Sequence, residues 1–126
     1  MSNPRILVVE DNRTTLQVLV QILQKAGFTV LSAQDTLQGM QTTAREQPDL
    51  VITDLMMPAG GGERLIERIK NSSKTMHIPV IVITSVQEPQ VESQALSLGA
   101  LRLFHKPYDS TELIRAIREI LGLPES

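Results

Sequence analysis

Three short runs of branched aliphatic residues, Ile6-Leu7-Val8-Val9, Leu50-Val51-Ile52 and Val80-Ile81-Val82-Ile83, pass without one polar residue. A strand with one face in water alternates apolar with polar, so runs like these belong to strands covered on both faces, the habit of parallel sheets. Parallel neighbours need a long crossover, usually a helix. The intervening segments supply it, because their apolar residues recur at helical spacing.

The pattern reads strand then helix five times over. Strands are expected at Arg5–Val9, Phe28–Ser32, Leu50–Thr53, Val80–Ile83 and Arg102–His105. The first helix carries Leu16, Leu19, Val20 and Leu23 inward and is ended by Gly27. Asp35 with Gln38 forms a capping box opening a second helix through Leu37, Met40 and Ala44, which stops before Pro48. Pro58–Gly62 reads as a loop, and Leu65, Ile66 and Ile69 give the third helix its apolar face. Pro89 suits a first helical turn, with Val91, Ala95 and Leu98 facing inward up to Gly99. Asp109 and Glu112 cap a fifth helix carrying Leu113, Ile114, Ile117 and Leu121. Right-handed crossovers between adjacent strands then give an α/β fold: a doubly wound five-stranded parallel sheet in order 2-1-3-4-5, a flavodoxin-like (βα)5 three-layer sandwich.

At 126 residues this is one ordinary domain, expected to span 1–126. A net charge of −2 with scattered Lys and Arg lacks the basic footprint of a nucleic-acid binder. The absence of cysteine excludes a disulfide scaffold and a thiolate metal site, and fits a reducing, cytoplasmic setting. No apolar run approaches the roughly 20 residues of a membrane span, so no membrane role is expected.

Polar groups stand where the strands end. Glu10 and Asp11 follow the first strand, Asp54 the third and Lys106 the fifth, while the Thr84 hydroxyl closes the fourth. In an open parallel sheet the carboxyl ends of the strands form the ligand edge, and the switch point lies between strands one and three. Three carboxylates brought together repel, and a cation relieves them. Oxygen donors without Cys or His point to Mg²⁺, with Mn²⁺ as a substitute. Mg²⁺ held by one or two carboxylates is commonly completed by a phosphate. Lys106 and Thr84 suit that phosphate, and the central Asp54 is the carboxylate best placed to attack it.

Together these residues resemble the receiver (CheY-like) domains of two-component response regulators. The likeness runs from Ile6-Leu7-Val8-Val9-Glu10-Asp11-Asn12 through Asp54-Leu55-Met56-Met57-Pro58 with Gly62 to Thr84-Ser85 and Lys106-Pro107. It implies that Asp54 accepts a phosphoryl group from a histidine kinase or a histidine phosphotransfer protein. Asp11 would ligate Mg²⁺ directly, Glu10 would act through a water or orient the site, and the Met56 backbone carbonyl would complete the protein ligands. Lys106 would pair with the phosphate, Thr84 would move inward to bond it, Ser85 would keep the approach open, and a cis Pro107 would aim the lysine. The kinase side would meet Asn12, Arg13 and the Pro107 loop. The surface of helix 4, strand 5 and helix 5, offering Glu92, Arg102, Arg115, Arg118 and Glu119, could support a homodimer or a target contact.

Departures from the family pattern are informative. Leu103 stands where an aromatic residue commonly reports the threonine's movement, so a smaller repacking is expected. Met56 and Val86 flank the site with apolar side chains that cannot orient a hydrolytic water, which implies slow loss of the phosphoryl group. Singly, each residue has a structural reading: Glu10 or Asp11 as a helix cap, Asp54 as a turn former, Lys106 as a solvated edge residue. An aspartate-nucleophile phosphatase would want an aspartate where Met56 stands. A flavin carrier would not place Glu10-Asp11 in its phosphate loop. Gly60-Gly61-Gly62 is followed by Glu63 and is not a P-loop but a turn. His77 and His105 read as surface or packing residues without a ligand partner. Either a free-standing domain or a segment of a longer regulator would give this sequence.

Overall fold

The computed structural model describes residues 3–57 and 61–124. Among the described residues the chain alternates β1 (Arg5–Val9), α1 (Arg13–Lys25), β2 (Thr29–Ala33), α2 (Thr36–Glu46), β3 (Leu50–Thr53), α3 (Gly61–Lys70), β4 (Val80–Thr84), α4 (Pro89–Leu98), β5 (Arg102–His105) and α5 (Ser110–Leu121). The strands form one parallel sheet in the order β2-β1-β3-β4-β5. This is the doubly wound arrangement the apolar runs demand, with β1 and β3 side by side in the centre.

The pleat sorts the core into two layers. Leu7, Val9, Val51, Val80 and Val82 face one way and pack with Leu65, Ile66 and Ile69 of α3 and Ala95 of α4. Ile6, Val8, Leu50, Ile52, Ile81 and Ile83 face the other way, against Leu16, Leu19 and Leu23 of α1 and Leu113 and Ile117 of α5. Each such side chain, fully buried, contributes about 1.5–3 kcal/mol relative to exposure. Every residue of β1 beyond Arg5, and all of β3 and β4, is buried.

Helix starts follow local chemistry. The Asn12 side chain accepts from Thr15 N, Asp35 from Gln38 N, and Asp109 from Thr111 N and Glu112 N, each satisfying backbone donors that a first turn leaves free. Gln34 N, one residue before the cap, donates to Gln38 Oε1 at 2.9 Å.

Several local expectations are corrected. β2 begins at Thr29 rather than Phe28, whose ring is buried in the core beneath α1. β4 extends to Thr84, one residue past the aliphatic run. The inward face of α2 is Thr36, Gly39 and Thr43 with Met40 partly covered; Leu37 is 61% exposed and Ala44 is exposed. The helix lies so near the sheet that a Cβ on Gly39 would stand 3.1 Å from Val9 Cγ2, so small residues and not the leucine face inward. Gly61 and Gly62 open α3 rather than closing a loop, and Pro58–Gly60 of that expected loop lie outside the described residues. Arg118 leaves the expected interaction surface: it donates to Ala26 O at 2.9 Å and lies over the Phe28 ring, tying α5 to the end of α1. Among the described residues no helix is long and apolar enough to cross a membrane.

Candidate functional site

The backbone fixes the site residues before their side chains act. Glu10 N donates to the last carbonyl of β2, Ala33 O, at 3.0 Å; Asp54 N to the last of β1, Val9 O, at 3.2 Å; Lys106 N to the last of β4, Thr84 O, at 2.9 Å. The ladder thus runs one residue beyond β2, β1 and β4, and three candidate site residues start from the same rim of the sheet.

Their side chains meet there. Lys106 Nζ donates to Glu10 Oε1 at 2.8 Å and to Asp54 Oδ2 at 2.7 Å. The second oxygen of each carboxylate takes a backbone donor from the loop that follows it: Glu10 Oε2 from Asn12 N at 3.0 Å, Asp54 Oδ1 from Met56 N at 2.9 Å. Glu10 is 5% exposed and Asp54 7%, so both charges are held by partners rather than water. The lysine ammonium is one cation facing these crowded carboxylates.

Burial pushes the Glu10 carboxyl above its ordinary value, and the charge of Asp54 and contact with Asp11 push the same way, while Lys106 and Asn12 pull it down. For Lys106, burial pulls down, but the bonds and charges of Asp54 and Glu10 outweigh it and the ammonium is held above its ordinary value. The phenol of Tyr108 is pushed up, first by burial, with Lys106 opposing and Glu10 adding to it.

Thr84 is buried at the end of β4, its Oγ1 accepting from Val86 N at 3.2 Å. Ser85 is exposed and Val86 half-buried. The Lys106–Pro107 peptide is cis, in line with the resemblance. Leu103 pairs with Val82 in register and packs partly buried on the α3 and α4 layer. Met56 turns its side chain out, 61% exposed. Asp11 is exposed beside Glu10.

Among the described residues no three acidic, His or Cys side chains converge as a ready metal cage. The donors at the rim are nonetheless all oxygen, two of them on buried carboxylates with one neighbouring exposed aspartate, and such a set fits a hard divalent cation that keeps several waters. The helix-capping alternative for Glu10 and Asp11 is set aside because Asn12 makes the cap.

The glycines after Asp54 prove essential to this geometry. A Cβ on Gly62 would overlap the Asp54 carbonyl oxygen, and one on Gly61, whose φ is +61°, would overlap Leu55 O. Thr36 Oγ1 donates to Gly61 O at 3.2 Å, tying α2 to this junction. Gly61-Gly62 reads as a turn in sequence because close backbone approach leaves no signature beyond glycine itself. His105 does have a carboxylate near it: its Nε2 is buried without a hydrogen bond, 3.7 Å from Glu92 Oε2. Tyr108 was not singled out from sequence, and its place after Lys106-Pro107 was the available signal.

Residues 6–118 match the model of the response regulator receiver domain. Sporulation initiation phosphotransferase F of Bacillus subtilis is 32% identical, the alignment covering 98% of each chain. The DNA-binding dual master transcriptional regulator RpaA of Synechocystis is 31% identical over 94% of this chain but only 49% of its own length; the chain spans about half of several such regulators. Among solved structures, the receiver domain of sensor histidine kinase PA1611 from Pseudomonas aeruginosa, with a magnesium ion coordinated in its active site cleft, superposes with a TM-score of 0.89 at 24% identity, covering 96% of this chain and 95% of that one.

Proposed function

This chain belongs to the receiver domains of two-component response regulators, and from that membership we propose that Asp54 is its phosphoacceptor in a signalling switch. The observation that carries the assignment is the Lys106 ammonium held at 2.7 Å from Asp54 and 2.8 Å from Glu10 on one buried rim. Receiver domains take their phosphoryl group from histidine kinases or phosphotransfer proteins, and this chain would do so from one of them.

In the step, an Asp54 carboxylate oxygen attacks phosphorus, a P–O bond forms and the donor's P–N bond breaks, leaving the imidazole nitrogen to take a proton. Phosphoryl transfer asks a protein mainly to position groups and balance charge. Lys106 meets the second requirement at Asp54 already. Thr84 Oγ1 accepts from Val86 N, so its own proton is available for a phosphoryl oxygen. The exposed Ser85 leaves the approach open. Glu10, Asp11, Asp54 and the Met56 carbonyl would hold Mg²⁺, or Mn²⁺ in its place; when bound it would supply the charge neutralisation that lets a further anion enter beside three carboxylates. The domain would speed only its own phosphorylation and dephosphorylation.

Signal output would run through Leu103, which shares a register pair with β4 two residues before Thr84. The face of α4, β5 and α5 remains the proposed meeting place for a second copy or a target, now with Arg102 near Glu119 at 4.0 Å and without Arg118.

Incubation with acetyl phosphate and Mg²⁺ tests the acceptor. Intact mass should rise by about 80 Da, the mass of one phosphoryl unit, and the adduct should be lost with hydroxylamine. Asp54→Asn should stay unmodified; an adduct persisting in that variant would end the assignment.

A further inference from the structure

Beside the Lys106 bridge lies a cavity of about 10 Å³ whose wall includes Glu10, Asp54, Lys106, Thr15, Leu19 and Tyr108. That volume is at the lower limit for a single water. The space beside the bridge is nearly filled, by Val8, Ile52 and Ile83 of the sheet, by Thr15 and Leu19 of α1 and by Tyr108. Tyr108 is half-buried and packed on the α1 and α5 layer, two residues beyond the lysine with which it shares the cavity wall.

A lysine side chain has four rotatable bonds and a strongly hydrated head. Two hydrogen bonds to carboxylates hold it only where water does not compete for them. In a site of low effective dielectric the same contacts are several-fold stronger than in water. We propose that Tyr108 is a positioning residue for Lys106, its ring filling the space beside the bridge so that the ammonium stays aimed at Asp54. The inference rests on the phosphoacceptor reading. It assigns the work to the ring face rather than to the hydroxyl, for which the structure gives no hydrogen bond among the described residues.

Truncation to Tyr108→Ala opens the cavity to solvent. The rate of adduct formation from acetyl phosphate at saturating Mg²⁺ should fall about tenfold, short of the roughly hundredfold that a 1 Å misplacement can cost, with half-saturation for Mg²⁺ unchanged. Tyr108→Phe should restore the rate to within about twofold, since it keeps the ring. In a Lys106→Met background, Tyr108→Ala should cause no further loss. The wild type, Tyr108→Ala, Lys106→Met and the double variant unfolded in urea give a second double-mutant cycle, which remains readable where the lysine variant is too slow to time. There the two substitutions should be non-additive in midpoint. Equal losses in both backgrounds, additive midpoints, or a Phe variant as slow as Ala would each overturn the proposal. Failure of the phosphoacceptor reading looks different: the wild-type protein would then form no adduct on Asp54 at all.

Discussion

At the scale of single residues, Glu10 carries a cost that the fold tolerates. Its carboxyl is held above the ordinary value, first by burial and then by Asp54 and Asp11. A raised acid favours the protonated form in the folded state. Its charge therefore weakens the fold once pH exceeds the ordinary value of 4.5, and the penalty vanishes below that value, where folded and unfolded forms are both protonated. Glu10→Gln keeps an acceptor for Lys106 without the charge. It should raise stability at pH 7 by on the order of 1 kcal/mol, with the gain fading in thermal melts taken below pH 4.5, while Mg²⁺ binding weakens. A variant less stable at pH 7 would mean that the bond to Lys106 outweighs burial. The apolar flank offers a second test. Met56 faces solvent and Val86 is half-buried. The pair Met56→Asn with Val86→Glu gives an incoming water polar partners and should shorten the phosphoryl lifetime at least several-fold, on the scale of general acid–base help; an unchanged lifetime would remove these two positions from the account.

Elements matter where they join. At the start of α3 two glycines pass against the backbone of Asp54 and Leu55, where a Cβ would overlap a carbonyl oxygen. Gly62→Ala should cost about 2–4 kcal/mol in urea unfolding, and because the Asp54 carbonyl must move, adduct formation should slow even where the protein remains folded. The β4–β5 pairing is the other junction. Val82 faces Leu103 and Thr84 faces His105, so a displacement of Thr84 would reach β5 at neighbouring rungs. Amide shifts recorded with and without a stable phosphoryl mimic should include Leu103 and the first turn of α4. A response confined to the Asp54 loop would show that a leucine does not relay the change.

Over the whole molecule, one ammonium joins the ends of three strands. Lys106 is held above its ordinary value by Asp54 and Glu10 against the opposing effect of burial, so its contribution to stability is complete below pH 10.5 and is lost as pH climbs through the higher folded value. Lys106→Met should destabilise the protein at neutral pH by about 1–3 kcal/mol, leaving two buried carboxylates facing each other. The deficit should shrink above pH 10.5 and on addition of Mg²⁺, which stabilises whatever state binds it. The β-α alternation, the sheet order and the rim position of Glu10, Asp54, Thr84 and Lys106 were legible from sequence. Unbroken aliphatic runs must be buried on both faces, and parallel strands must deliver their ends to one edge. Leu37, Arg118 and Gly61-Gly62 were misread for a common reason: helical spacing and residue type do not tell how near a helix lies to the sheet or which neighbour a long side chain finds. Chain order alone settled which groups would share the rim. The distances over which Lys106 bridges Glu10 and Asp54, and the placing of Tyr108 on the cavity wall beside them, were settled only by tertiary packing, because contacts between residues as far apart as 10 and 106 depend on how the layers come together.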